Sequence, residues 1–290
     1  MLHCEPSLSL SSIPIHPTMN YENILYEVDN EHIAWLTLNR PDKLNAMTIQ
    51  MIKEFRHALE QAEHDKSVHV VVVRGAGRGF CAGHDLVEDA TDEWDSFYHY
   101  RNHYFQQFED FTTPWRITKP VIASVRSIAI GKGFELSLFC DITIVSDDVR
   151  LGYKELRYGI SAHSMFLPWL VNMKMAKDLL LTGREVTAAE AKEIGLVTDV
   201  VPLAELDEAT LKKARLLAAM PLEMNRAHKA YVNKVYEIQG IKAATDNYLE
   251  LLPTFGYVQV PEYERFMETV NEKGLKPALK DANAKFERLE

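Results

Sequence analysis

The sequence predicts an α/β fold in which covered strands alternate with helices. Two observations carry that expectation. Short runs rich in Val and Ile, among them Val68 to Arg74 and Val121 to Val125, read as strands buried on both faces. Apolar residues at helical spacing separate such runs, so strand, helix and strand repeat with one polarity.

From Tyr21 to Leu38, two β-rich runs, Ile24 to Val28 and Ile33 to Leu38, flank Asp29-Asn30-Glu31, a good hairpin turn. The stretch Asn39 to Met47 breaks the second strand. Ile49, Ile52, Phe55, Leu59 and Ala62 then recur on one helical face, which predicts a helix over Thr48 to His64. After the Val68 strand, Asp85 to Thr118 is acidic and aromatic. His99 and His103 stand a helical turn apart in it, but no acidic partner completes a zinc pattern, so a solvated or lid-like helix is expected and no metal.

The chain is organised around Val121 to Val145, read as buried strand, glycine turn at Gly131-Lys132-Gly133, short helix opening near Gly133, and second strand. The first amides of such a helix favour an anionic oxygen. Glu135 falls in its first turn, where an acidic residue also has an ordinary capping role. A short strand follows within Asp147 to Gly159, with a loop carrying Glu155. Thr187-Ala-Ala-Glu190 is a capping-box pattern. Beyond Glu205 the pattern turns helical: Leu206 to Met220, Leu222 to Tyr236, Ile241 to Leu252 and Tyr263 to Lys273. The expected organisation is a disordered extension over 1–18, an α/β core over 19–202, and a helical region over 203–290 that acts as a lid or packs on a neighbouring subunit.

A formal charge of -10 argues against nucleic acid as a partner, because no broad positive field is available. Cys4, Cys81 and Cys140 are too few and scattered for a disulfide framework or zinc cluster, which fits a cytoplasmic location. Met1 to Thr18 lacks the basic start and apolar segment of a secretory signal. No apolar run has the length of a membrane-spanning helix, so no membrane partner is expected.

Gly75 to Leu86 follows a strand and lets backbone approach a ligand closely, without the ending of a P-loop or the spacing of a dinucleotide fingerprint. His84 and Asp85 are adjacent, a poor arrangement for a dyad, and Asp85 is expected to hold the turn. No base stands near Cys81 in sequence, so it reads as a small buried residue.

These motifs together resemble the enoyl-CoA hydratase/isomerase, or crotonase, superfamily, and among its members the hydratases with two glutamates. The carriers are Leu38 to Ala46, Gly79 to Leu86, Gly131 to Asp141, and Leu181-Thr-Gly with Ala191 to Val197. The resemblance runs from about Tyr21 to Pro202 and more loosely through the tail. It implies a spiral of strand-strand-helix units, a homotrimer or dimer of trimers, and an acyl-CoA thioester substrate. No separate cofactor is implied, since coenzyme A is part of that substrate.

By matching position, the resemblance makes the backbone amides of Ala82 and Lys132 an oxyanion hole. Lys132 stands where the family usually has Gly; a main-chain donor survives that change, while the pocket wall is altered. Glu135 and Glu155 match the catalytic pair, with Glu135 orienting water and Glu155 as the acid, the reverse assignment staying open. Lys43, Leu44 and Ala46 match the contacts to the nucleotide portion, although Lys43 equally suits a solvated turn. Ala82, Gly83, His84 and Asp85 match the stretch along the pantetheine and thioester.

The sequence departs from the family between Gly159 and Trp169, and His163, Met165, Phe166 and Trp169 are expected to shape the acyl pocket. The implied activity is that of a hydro-lyase, reversible syn addition of water to a 2-enoyl-CoA. The alternatives are another acyl-CoA isomerase, lyase or hydrolase, or a noncatalytic binder of CoA esters.

Overall fold

The computed structural model describes residues 20–89, 95–162, 166–257 and 260–289. The expected N-terminal extension, His163, Ser164 and Met165 lie outside the described residues. Strands β1 (Ile24–Val28) and β2 (Ile33–Leu38) form the antiparallel hairpin. Asp29 Oδ1 closes its turn by accepting from the amides of Glu31 at 2.8 Å and Ile33 at 3.1 Å. Helix α1 (Ile49–His64) starts where Thr48 Oγ1 accepts from the Met51 amide at 3.1 Å.

Then follow β3 (Val70–Gly75), α2 (Phe97–Phe111), β4 (Val121–Val125), β5 (Ile128–Ile130), α3 (Lys132–Phe139), β6 (Ile142–Ser146) and β7 (Arg150–Gly152). After α4 (Met173–Thr182) come β8 (Glu185–Thr187) and β9 (Asp199–Val201). Five helices complete the chain: α5 (Leu206–Ala219), α6 (Leu222–Gln239), α7 (Ile241–Tyr257), α8 (Pro261–Lys273) and α9 (Leu275–Asn283).

One sheet has the order β1-β2-β3-β4-β6-β9 and the other β5-β7-β8. From β2 onward the larger sheet is parallel. Its central strands are apolar on both sides because both faces are covered. Val71, Val73, Val121 and Ala123 join the main core, while Val70, Val72 and Ile122 pack with Leu206 and Ala214 of α5.

The sequence pattern merged β5 with the glycine turn. In the structure Ser127, at φ 51°, breaks the chain between β4 and β5, and its Oγ donates to Asp148 Oδ2 at 2.7 Å. The bend sends β5 into the smaller sheet beside β7. The capping pattern at Thr187 forms by half: its Oγ1 accepts from the Glu190 amide at 3.3 Å, while the Glu190 carboxylate pairs with Arg184 at 2.6 Å.

The C-terminal helices are tied to the core by an ion pair whose lysine is buried and whose aspartate reaches the surface. Lys229 of α6 reaches Asp141 Oδ2 at 2.8 Å and donates to the carbonyls of Pro114 at 2.7 Å and Lys119 at 3.0 Å. Asp141 also accepts from the Val121 amide at 2.7 Å, so the pair joins α6 to the start of β4. Replacing Lys229 by Met removes the charged donor shared by two carbonyls and the Asp141 carboxylate, and is expected to cost about 1.5–3 kcal/mol in urea unfolding at neutral pH. A loss below about 1 kcal/mol, the scale of an exposed pair, contradicts that role.

Candidate active site

Three chain segments meet at the C-terminal ends of β3 and β4, the side of a parallel sheet where crevices open. The first is the loop after β2, in which Leu44 and Asn45 take left-handed backbone with φ 49° and 56°. Fully buried Asn45 holds it there. Its Nδ2 donates to the carbonyls of Ala76 and Gly79 at 2.9 Å and Phe80 at 3.1 Å, and its Oδ1 accepts from the Arg40 amide at 2.9 Å.

The second segment is the glycine loop after β3. It runs as a short extended piece with Cys81 bridged to Ala129 of β5 and His84 bridged to Met47. The Ala82 amide donates to Leu44 O at 2.9 Å, Met47 N to Gly83 O at 2.8 Å, and Asp85 N to Met47 O at 3.0 Å. In a parallel bridge of this kind, the amide of His84 points to the edge opposite Met47. Asp85 fixes the end of the piece through an ion pair with Arg40 at 2.9 Å.

The third segment is Gly131 and the start of α3. Gly131 has φ 55°, and a Cβ there would lie 2.9 Å from Glu155 Oε1. A Cβ on Gly133 would lie 2.3 Å from Cys81 O. The helix start is thus wedged between the glycine loop and Glu155, at a distance only glycine permits. Its first amides face outward from the helix with the positive end of the dipole behind them.

Glu135, one turn into α3, is completely buried, and its amide donates to Gly131 O at 2.9 Å. Glu155 sits on the 3-10 turn Lys154–Tyr158, which ends at left-handed Gly159. The Glu155 residue is partly exposed as a whole, yet its Oε2 is closed off from solvent and has no hydrogen-bond partner among the described residues. Burial pushes its carboxyl from 4.5 up to about 8; the charge of Glu135 adds to the push and Lys132 opposes it.

A cavity of about 1330 Å³ opens beside these groups, lined by Ala82 to Asp85, Gly131, Lys132 and Glu155. Exposed Lys43, Arg78, Lys273 and Lys276 stand at its mouth. Tyr100, His103 and Tyr104 of α2, with Ile160, Ser161 and Leu252, form a further wall. Tyr263 and Met267 of α8 close over it from the C-terminal region.

A family model described as enoyl-CoA hydratase/isomerase matches residues 29–259. This chain belongs to that family. A probable enoyl-CoA hydratase of Mycobacterium bovis is 33% identical over 227 residues, which cover 76% of this chain and 84% of that protein. A putative enoyl-CoA hydratase/isomerase of Bacillus subtilis is 33% identical over 248 residues, covering 80% and 91%. Among solved structures, an enoyl-CoA hydratase/isomerase from Xanthobacter autotrophicus Py2 superposes with a TM-score of 0.88 at 34% identity, over 91% of this chain and 98% of that one. The α/β crotonase architecture expected from sequence is therefore the observed one.

Within this enoyl-CoA hydratase/isomerase frame, the structure gathers Glu155, Lys132, Gly83, His84, Asp85, Leu44, Ala46 and Lys43 around one cavity. Glu135 is buried behind its wall. Ala82 lines the cavity, but its amide is committed to Leu44 O, which corrects its expected place as an oxyanion donor. Phe166 and Trp169 are not among the lining residues, a correction to the expected acyl pocket. Phe166 packs edge-on against Phe139 at 4.6 Å and Trp115 at 5.1 Å, while Trp169 lies 3.8 Å from the Cβ position of Gly240. His163 and Met165 lie outside the described residues.

The sequence reading allowed a lid-like helix at α2 and a lid from the C-terminal region but named none of the lining residues they supply, which come from distant segments. His103 meets Gln107, and His99 pairs with Asp95 at 3.0 Å; among the described residues no group of His, Cys, Asp and Glu could hold a metal. Cys81 is buried, with its thiol pushed up to about 12 by burial and its Sγ 3.1 Å from Asn45 O. No helix among the described residues is long and apolar enough to cross a membrane.

With glutamate carbons labelled for NMR, one carboxyl is expected to titrate with a midpoint near 8 and to vanish in Glu155→Gln. A Glu155 midpoint at its ordinary value of 4.5 contradicts the buried environment derived above.

Proposed function

We propose that the protein is a hydro-lyase that reversibly adds water in syn fashion across the double bond of a 2-enoyl-CoA. One observation carries the reading: the Glu155 carboxyl packs against Gly131, buried Glu135 follows one helical turn later and is close enough to raise the pKa of Glu155, and Glu155 holds its proton up to about pH 8. Such a pair divides naturally into a base and an acid at neutral pH.

In this reading the CoA phosphates rest near exposed Lys43, Arg78, Lys273 and Lys276, and the acyl group enters the cavity. The thioester oxygen accepts from the amides of Lys132 and His84. His84 takes the place given to Ala82 on sequence grounds, since its amide lies on the cavity edge of the bridged piece while that of Ala82 is occupied. Each fixed donor contributes on the order of 3 kcal/mol to a developing enolate.

The Glu135 carboxylate takes a proton from water as its oxygen bonds to Cβ. The π electrons move to the thioester oxygen, and the enolate then takes the Glu155 proton at Cα. Proton exchange between the two carboxyls and solvent resets the pair. Because both groups serve one face of the planar enoyl unit, addition is syn.

The test is a panel of 2-enoyl-CoA esters, following loss of the conjugated absorbance, with Glu135→Gln and Glu155→Gln. Each variant is expected to lose on the order of 10²–10⁴-fold in kcat. Hydration needs protonated Glu155, so kcat/KM is expected to fall as pH rises through about 8. Full activity in either variant removes the paired mechanism.

A further inference from the structure

Ser161 stands in the cavity wall just past the 3-10 turn that carries Glu155, and it is partly exposed there. Behind it runs α7. Ile241, Thr245, Leu249 and Leu252 are buried at helical spacing, which turns that face of α7 inward, and Tyr248 sits on the same side. The Tyr248 Oη lies 2.8 Å from Ser161 Oγ and donates to Ala162 O at 2.6 Å. A hydrogen bond from Arg101 Nε on α2 to Glu250 Oε2 at 2.7 Å holds α7 beside the wall.

The number of protons fixes the direction of this relay. A phenol has one hydrogen, and Tyr248 gives it to the Ala162 carbonyl. Ser161 is then the donor in its bond with Tyr248. With its hydrogen turned toward Tyr248, the Ser161 hydroxyl presents only lone pairs to the cavity. Burial pushes the Tyr248 phenol up to about 12, and the charges of Glu135 and Glu155 add to the push, so its hydrogen is present throughout the neutral range. Tyr248, and with it Ser161, therefore lies within the field of both carboxyls.

Hydration creates a need for such an acceptor. The attacking water carries two hydrogens: one goes to the Glu135 carboxylate as the oxygen bonds to Cβ, and the other stays on that oxygen and becomes the product hydroxyl. Glu155 acts at Cα as the acid, so the retained hydrogen takes its acceptor from elsewhere in the wall. We infer that Ser161 Oγ, positioned by Tyr248, accepts this retained O–H hydrogen in the bound water, in the transition state and in the 3-hydroxyacyl product. The inference rests on the hydration proposed above. It adds Ser161 to the catalytic residues and makes Tyr248 a positioning residue. Because the acceptor is fixed on one side of Cβ, it also favours the product enantiomer whose hydroxyl points toward it.

Binding of the product separates this claim from turnover. The probes are butyryl-CoA and the two enantiomers of 3-hydroxybutyryl-CoA, which share one chain length and differ in the hydroxyl. Calorimetry is done in Glu155→Gln, whose neutral amide keeps the size of the protonated carboxyl and cannot take the Cα proton. One enantiomer is expected to bind about 3- to 10-fold more tightly than the other and than butyryl-CoA. Adding Ser161→Ala is expected to bring that ratio to about one, while Ser161→Thr keeps it. Tyr248→Phe, which frees the serine hydrogen to turn into the cavity, should lower the ratio; a merely structural effect would weaken all three esters equally and leave it unchanged. With Glu155 intact, Ser161→Ala is expected to lower kcat for crotonyl-CoA by about 3- to 10-fold and leave KM unchanged, since the enoyl ester has no hydroxyl.

Equal binding of the three esters with Ser161 in place overturns the inference, as does a preference that survives Ser161→Ala. If none of the esters binds, the acyl-CoA reading fails and takes this inference with it. If one enantiomer is preferred through Ser161 while crotonyl-CoA is never hydrated, the hydroxyl acceptor stands and the hydration reading falls.

Discussion

The site depends on how closely two backbones approach. Gly133 lets the start of α3 press on the carbonyl of Cys81, where any side chain would collide at 2.3 Å. Gly131, in left-handed backbone, leaves room for the Glu155 carboxyl on its other side. These absent side chains bring together a helix start, an extended loop and a 3-10 turn that belong to separate parts of the chain. Asn45 supports the same junction from beneath by satisfying three carbonyls of the glycine loop. Removing either glycine would therefore displace the chemistry before it disturbed the sheet.

Charge is sorted along the cavity in a way that the net value of -10 conceals. Exposed lysines and an arginine stand at the mouth, in reach of a polyanion, while among the described residues the carboxyls of Glu135 and Glu155 and the ammonium of Lys132 lie further in. Burial keeps one carboxyl neutral at pH 7, so the interior is less anionic than its composition suggests. The acidic surface and the basic mouth are compatible because they occupy different parts of the molecule. Interactions between exposed charges are screened over about 8–10 Å in physiological salt, and groups inside the cavity much less so.

Local pattern was enough to read α1, the parallel strands and the helix at Glu135, since each has a periodicity set by its own burial. The pairing of Glu135 with Glu155 was legible only through resemblance, because nothing in their spacing says that β7 returns the chain to Gly131. The commitment of the Ala82 amide to Leu44 was hidden from sequence for a related reason. Which amide of an extended loop faces the cavity is decided by its bridge to Met47, and that bridge depends on the left-handed turn at Leu44 and Asn45. The bulky run around Phe166 and Trp169 looked like pocket wall because it departs from the family pattern. Phe166 instead fills the core beside Phe139, and α2 contributes Tyr100, His103 and Tyr104 to the wall, residues that its aromatic, lid-like pattern did not single out one by one.

The central claim is that the thioester is gripped at the wedge around Gly131. A crystal structure with a nonreactive enoyl-CoA analogue tests it most directly. The account predicts the thioester oxygen within about 2.7–3.2 Å of the amide nitrogens of Lys132 and His84. It also predicts the position of the double bond between the carboxyls of Glu135 and Glu155. A thioester bound elsewhere in the cavity, or held by neither amide, would contradict the account.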